Sequence, residues 1–130
     1  MKRSILLFLV LIAIGAQADE TTAPSVSTSR TLVPDARPLL MTALQSPSGE
    51  AHGTLTGEVA DAISKRFAAT SPIFIDVTTE RRMRQQGCSR LKVVFWQDGV
   101  QLPGASAARK QTMEMGINYC LDGLPPRSPL

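Results

Sequence analysis

Two cysteines bracket two alternating apolar stretches, and this arrangement restricts the fold more than any other feature of the chain. Cys88 opens Cys88-Ser89-Arg90-Leu91-Lys92-Val93-Val94-Phe95-Trp96. Cys120 closes Thr112-Met113-Glu114-Met115-Gly116-Ile117-Asn118-Tyr119-Cys120. If the sulfurs bond and the two segments run antiparallel with Cys88 opposite Cys120, the register follows. Leu91 meets Ile117, Val93 meets Met115 and Phe95 meets Met113. Strand side chains alternate between faces, so these six are expected on one dry face. Cys88, Arg90, Lys92, Val94 and Trp96 then share a mixed face with Cys120, Asn118, Gly116, Glu114 and Thr112.

The pairing depends on compartment, and the N-terminus supplies one. Met1-Lys2-Arg3 is positive, Ile5 to Ile14 is uninterruptedly apolar, and Ala16-Gln17-Ala18 precedes Asp19-Glu20. That order is the signature of a secretory signal peptide over residues 1–18, cleaved after Ala18. The alternative is an uncleaved anchor, for which the apolar run is short against the ~20 residues of a membrane span. The expected location is periplasmic or secreted, with no stable membrane anchor after cleavage. An oxidising compartment favours a Cys88–Cys120 disulfide. Chain-entropy arithmetic for this loop gives about 3.7 kcal/mol as an unstrained upper value. A redox-active pair is disfavoured, because such cysteines usually lie close together as Cys-x-x-Cys.

Cleavage also changes the charge. The chain carries 14 basic and 11 acidic residues, a net +3. Lys2 and Arg3 leave with the leader, so the net becomes +1. Bulk charge then offers little basis for nucleic-acid binding, and none is expected.

Residues 19–50 are expected to form a flexible arm with a short helix in it. Asp19 to Thr31 is polar and rich in Ser and Thr, with too little apolar surface to offset ordering entropy. The arm is either a plain spacer or a segment that orders on a partner. Asp35 is a capping candidate for a helix carrying Leu39, Leu40, Ala43 and Leu44 on one face. Gln45 to Gly53 is predicted to be a loop.

The main domain is expected over 51–124. Its predicted main helix runs from Thr54 to Ala69, with a stripe at Leu55, Val59, Ile63 and Phe67 and an N-cap at Thr54 or Thr56. Thr70-Ser71-Pro72 stops it. Strands are expected at Ile73–Thr78, Arg90–Gln97 and Thr112–Cys120. Glu80 to Gln86 reads as a polar connection, Gly87 as a positive-φ position, and Asp98-Gly99 as a tight turn. Residues 125–130 form an extended Pro-rich tail. The predicted architecture is α+β. One main amphipathic helix packs on a small, mainly antiparallel sheet of three to four strands, stapled by one disulfide.

Chemical motifs are absent from this reading, so no catalytic, metal or cofactor residue is expected. His52, the single histidine, falls in a predicted loop and is read as solvent-exposed; a metal site normally needs several such ligands. No nucleophile elbow surrounds any serine, which ranks a small hydrolase last. Gly116 inside a strand suggests a bulge or a close backbone approach. Two features are candidates for interaction. One is the cluster Arg81, Arg82 and Arg84, extended by Arg90 and Lys92; it either meets an acidic partner or is a solvated connection offset by Glu80 and Asp76. The other is Trp96, either a partner anchor or a ring packed under the tail or the short helix.

The C-terminal half carries a distinctive string. It runs Gly87-Cys88-x-Arg90-Leu91-x-Val93, then Gln97-Asp98-Gly99-Val100-x-Leu102-Pro103-Gly104. It ends Gly116-Ile117-Asn118-Tyr119-Cys120-x-Asp122-Gly123-x-Pro125-Pro126. With Thr56-Gly57 and Ile75-Asp76-Val77-Thr78, it resembles a family of small exported proteobacterial proteins encoded among conjugation and type IV secretion genes. The likeness spans about residues 54–126. It implies a non-enzymatic periplasmic accessory role, exercised through envelope protein partners, and transfers no catalytic residue. The competing reading is a secreted inhibitor or binding module that presents the loop from Gln97 to Gln111.

Overall fold

The structure is a computed structural model that describes residues 29–128. The expected signal peptide, residues 19–28 of the arm and the last two tail residues lie outside them. Five strands form one sheet in chain order. They are β1 (Thr31–Val33), β2 (Glu50–Leu55), β3 (Ile73–Arg82), β4 (Cys88–Val100) and β5 (Arg109–Cys120). Helix α1 (Arg37–Gln45) connects β1 to β2, and α2 (Glu58–Arg66) connects β2 to β3. β1 pairs parallel with β2, and every other pairing is antiparallel. The fold is α+β with a mainly antiparallel sheet, as expected. Among the described residues it has five strands rather than three to four, and the short helix expected in the arm is present as α1, beside α2.

The hairpin register is the one the cysteines dictate. Cys88 opposes Cys120, Leu91 opposes Ile117, Val93 opposes Met115 and Phe95 opposes Met113. The disulfide is formed and closes the open end of the β4–β5 hairpin. Met83 packs with the two cysteines in a small apolar cluster of its own. Gly87 turns the chain there with φ of 79°.

The core lies on one face of the sheet. Ile75 and Val77 of β3 and Leu91 and Val93 of β4 are fully buried. α1 covers them with Leu39, Leu40 and Ala43. Its N-cap is Ala36, without a side-chain cap bond, and not the expected Asp35. Asp35, one residue earlier, accepts the Arg37 N–H through Oδ1 at 2.9 Å while both carboxylate oxygens hold the Arg37 guanidinium. Pro38 sits in the first turn, where a missing N–H costs nothing. The helix approaches closely because Gly53 lies beneath it. A Cβ there would stand 2.7 Å from Leu39 Cδ1 and 2.9 Å from the Thr31 carbonyl oxygen.

Several expectations are corrected. The arm over 19–50 contains β1, the covering helix α1 and the first residue of β2. The predicted loop from Gln45 to Gly53 includes the first four residues of β2. Its core-facing positions are Ala51, Gly53 and Leu55, and two such small residues do not read as apolar alternation. Leu55 therefore belongs to a strand, and the stripe expected from Thr54 to Ala69 crosses a strand–helix junction. Gly57, at φ 99°, ends β2 and stands at the N-cap in place of either threonine. α2 buries only Ala60, leaves Val59 61% exposed and packs at one end of the sheet. There its Ser64 hydroxyl accepts a hydrogen bond from buried Gln97 at 2.9 Å.

Strand limits also shift. β3 continues to Arg82, through the predicted connection, and a bulge between Thr79 and Arg81 accommodates Glu80. Asp98-Gly99 is a bulge inside β4 and not a turn. The dry face is only partly dry: Met113 and Met115 are 54% and 39% exposed, because neither helix extends over that half of β5. Among the described residues no helix is long and apolar enough to cross a membrane.

Candidate interaction face

Both helices contribute to the same core, so among the described residues the opposite face of the sheet carries no helix. Alternation along β2, β3 and β4 brings His52, Asp76 and Trp96 to that face. Register places His52 opposite Asp76 and Phe74 opposite Trp96. Arg30, immediately before β1, reaches over the same surface.

Asp76 is the hub. Its Oδ2 accepts the Trp96 indole N–H at 2.8 Å. Its Oδ1 receives His52 Nδ1 at 2.7 Å and Arg30 Nη1 at 2.9 Å. A carboxylate only accepts, so Nδ1 is the protonated nitrogen of that ring. Arg30 Nη1 also donates to the Gly53 carbonyl at 3.1 Å, which ties the chain before β1 to β2. Burial alone pushes the Asp76 carboxyl up. The hydrogen bonds from His52, Trp96 and Arg30, with the Arg30 charge, outweigh it and hold the group below its ordinary value.

Aromatic rings surround the hub. Phe74 and Trp96 pack with ring centres 4.5 Å apart and planes tilted by 46°. Arg30 lies over Phe74 at 4.4 Å and Lys110 over Trp96 at 4.2 Å. Such cation–ring contacts contribute about 0.5–1 kcal/mol each at exposed sites. Trp96 therefore packs under neither the tail nor the short helix; it joins an ordered cluster on the uncovered face. His52 is half-buried on β2 and not a loop residue, which corrects the expectation from sequence. Its Nε2 lies 3.6 Å from Glu50 Oε2. Among the described residues no serine or threonine hydroxyl hydrogen-bonds the ring.

The arginine cluster divides. Arg90 crosses the helix-free face, with Nε 3.6 Å from Glu80 and Nη1 donating to Asn118 Oδ1 at 3.2 Å. Lys92 faces Glu114 at 3.4 Å. Gly116 opposes Lys92 in regular register and makes no bulge; the Arg90 guanidinium occupies the space a Cβ would need. Arg81 stands opposite Arg90 at the end of β3. Arg82 and Arg84 border an open groove with Leu44, Met83, Gly87 and Leu121. Among the described residues none of Arg81, Arg82 and Arg84 is in an ion pair. The structure thus does not unite the predicted interaction residues: Trp96 belongs to the Asp76 cluster, and the three arginines lie at the disulfide end of the sheet.

The sequence reading missed Arg30, His52, Phe74 and Asp76 as partners of Trp96. Asp76, a charged residue within a β-branched strand, was the available signal. No His, Cys, Asp or Glu group of three or more is placed to hold a metal ion among the described residues. The loop from Gln101 to Ala108 is exposed apart from its first residue, and its base is made by Val100 opposite Arg109. The disulfide lies at the other end of that hairpin. Comparison of the chain with family models, curated proteins and solved structures finds no match.

Proposed function

We propose that this chain is a non-enzymatic exported protein that acts through protein–protein contacts in the bacterial envelope, with the helix-free sheet face around Trp96 and Asp76 as its contact surface. One observation carries the reading: Asp76 holds His52, Trp96 and Arg30 by hydrogen bonds beside the Phe74 ring, yet among the described residues no helix covers the cluster. A half-buried tryptophan held by a carboxylate presents a large rigid surface at little entropic cost on binding, and such residues dominate interface energies. The disulfide supports a destination outside the reducing cytoplasm. The resemblance of residues 54–126 to exported proteins of conjugation and type IV secretion loci supports an accessory role in transfer.

Two measurements test this. Fractionation of the producing cell is expected to recover the oxidised chain outside the cytoplasm, beginning at Asp19. Deleting the gene is expected to lower conjugative transfer, with wild type restoring it and a folded Trp96→Ala variant failing to do so. Transfer unchanged by the deletion removes the conjugation role, and recovery of the reduced chain in the cytoplasm removes the exported one. The alternative of an inhibitory loop from Gln97 to Gln111 has less support, since the disulfide does not brace that loop.

A further inference from the structure

β5 is an open edge of the sheet. In an antiparallel ladder, residues alternate between those that turn N–H and C=O toward the neighbour and those that turn them away. The Cys120 N–H bonds the Leu124 carbonyl and not β4, so Cys120 belongs to the outward set. Stepping back by twos, Asn118, Gly116, Glu114, Thr112 and Lys110 belong to it as well. Their outward N–H and C=O groups have no backbone partner among the described residues. Natural edges are usually blunted by charged side chains, by proline, by a bulge or by a covering element. The outward charges of β5, Lys110 and Glu114, are of opposite sign and so can pair rather than repel across a two-fold axis. β5 has no proline, pairs without a bulge from Gln111 to Cys120, and is uncovered at Met113 and Met115.

We propose that a second copy of the chain closes this edge, with β5 running antiparallel to β5 about a two-fold axis. The charges select the register. Like charges placed directly opposite destabilise a strand pair, and opposite charges stabilise it. Putting Glu114 on the axis would oppose two glutamates. Putting Thr112 on the axis sets Lys110 against the partner's Glu114, and Glu114 against the partner's Lys110. All these residues are in the outward set, so their backbones are the ones free to bond across the axis. The even offset keeps each residue on its own face, and the helices of both copies stay on one side. On that side Met113 lies diagonal to the partner's Met113, within reach of long side chains. Met115 falls opposite the partner's Arg109, whose apolar stem covers it. Lys110 leaves its exposed place over Trp96, and Glu114 its 3.4 Å contact with Lys92, both weak surface contacts.

Sedimentation equilibrium of the purified, oxidised protein across a concentration series tests the proposal, with circular dichroism and thermal melting as fold controls. The wild type is expected to dimerise reversibly. Lys110→Glu and Glu114→Lys are each expected to weaken the dimer about tenfold, since each creates two like-charge pairs, and the double swap is expected to restore it. Thr112→Pro removes only an outward N–H and is expected to abolish dimerisation while β4 remains paired. A wild type that stays monomeric throughout overturns the proposal. So does a dimer indifferent to all three changes, or a double swap no stronger than either single change.

Discussion

The Trp96 indole N–H donates to Asp76 Oδ2 at 2.8 Å across two strands, although neither residue opposes the other in the ladder. Asp76 stands opposite Val94, and Trp96 stands opposite Phe74. The bond is therefore diagonal, and it fixes the indole over the middle of the uncovered face. Replacing Trp96 with phenylalanine keeps a ring against Phe74 and removes the donor. The expected loss is about 1.5 kcal/mol in urea unfolding, the lower end of the range for a hydrogen bond to a charged group because the site is partly exposed. Trp96→Ala also removes the ring and should cost more, about 2–3 kcal/mol for a half-buried aromatic. Equal losses in the two variants would mean that the ring contributes nothing beyond its N–H.

Asp76 also predicts how the fold responds to acid. Its native carboxyl is held below the ordinary range, while the unfolded group titrates at about 3.8. The stability it contributes is fully present above that unfolded value and is lost as pH falls through the lower native value. Thermal melting followed from about pH 5 down to pH 2 should show this loss, and Asp76→Asn should flatten the slope. Some slope should survive in the variant, because Arg37 hydrogen bonds lower the Asp35 carboxyl to about 2. An Asp76→Asn profile as steep as wild type would show that the cluster does not hold the charged form.

Gly53 and Gly116 are both strand glycines, and substitution should separate them. At Gly53 a methyl group meets buried Leu39 at 2.7 Å and the Thr31 carbonyl at 2.9 Å. Either α1 or the β1–β2 pair must move, so Gly53→Ala should destabilise by about 1–3 kcal/mol, as overpacking does. At Gly116 the obstruction is the mobile end of Arg90, which can swing into solvent. Gly116→Ala should therefore cost well under the Gly53 change. Denaturant midpoints of the two variants check this ordering.

Replacing Cys88 and Cys120 together with serine removes the clasp between β4 and β5. The expected loss approaches about 3.7 kcal/mol, the unstrained chain-entropy value for this loop. Reduction of the wild type should give a similar loss. Met83 covers the two cysteines, so reduction by a mild thiol should be slow in the folded protein. Rapid reduction without loss of stability would mean that this end of the hairpin holds without its crosslink.

Legibility differed between the two halves of the chain. The β4–β5 register could be read because the two alternating segments are long and each ends in a cysteine, so one pairing satisfies both constraints. The core-facing residues of β3 could be read for a related reason, as Ile73, Ile75 and Val77 are β-branched residues spaced by two, with Asp76 and Thr78 marking the other face. β2 could not, because Ala51 and Gly53 face the core through small side chains and register as neither apolar nor alternating. Missing β2 then displaced the helix, since Leu55 extended the periodicity of α2 backwards across Gly57. The candidate site was less legible still. Trp96 stood out as the single tryptophan, but Arg30, His52 and Asp76 lie on three different segments, and nothing local links them.

The amino-acid order alone determined the α+β class, the disulfide and the strand pairing it implies, because periodicity and one covalent link act over short, regular stretches. The tertiary structure alone decided which helix covers the sheet and which residues meet on the bare face. Those outcomes depend on where a glycine permits close approach and on which strands become neighbours. Both are contacts between segments far apart in the chain, and no local pattern of residue types encodes them.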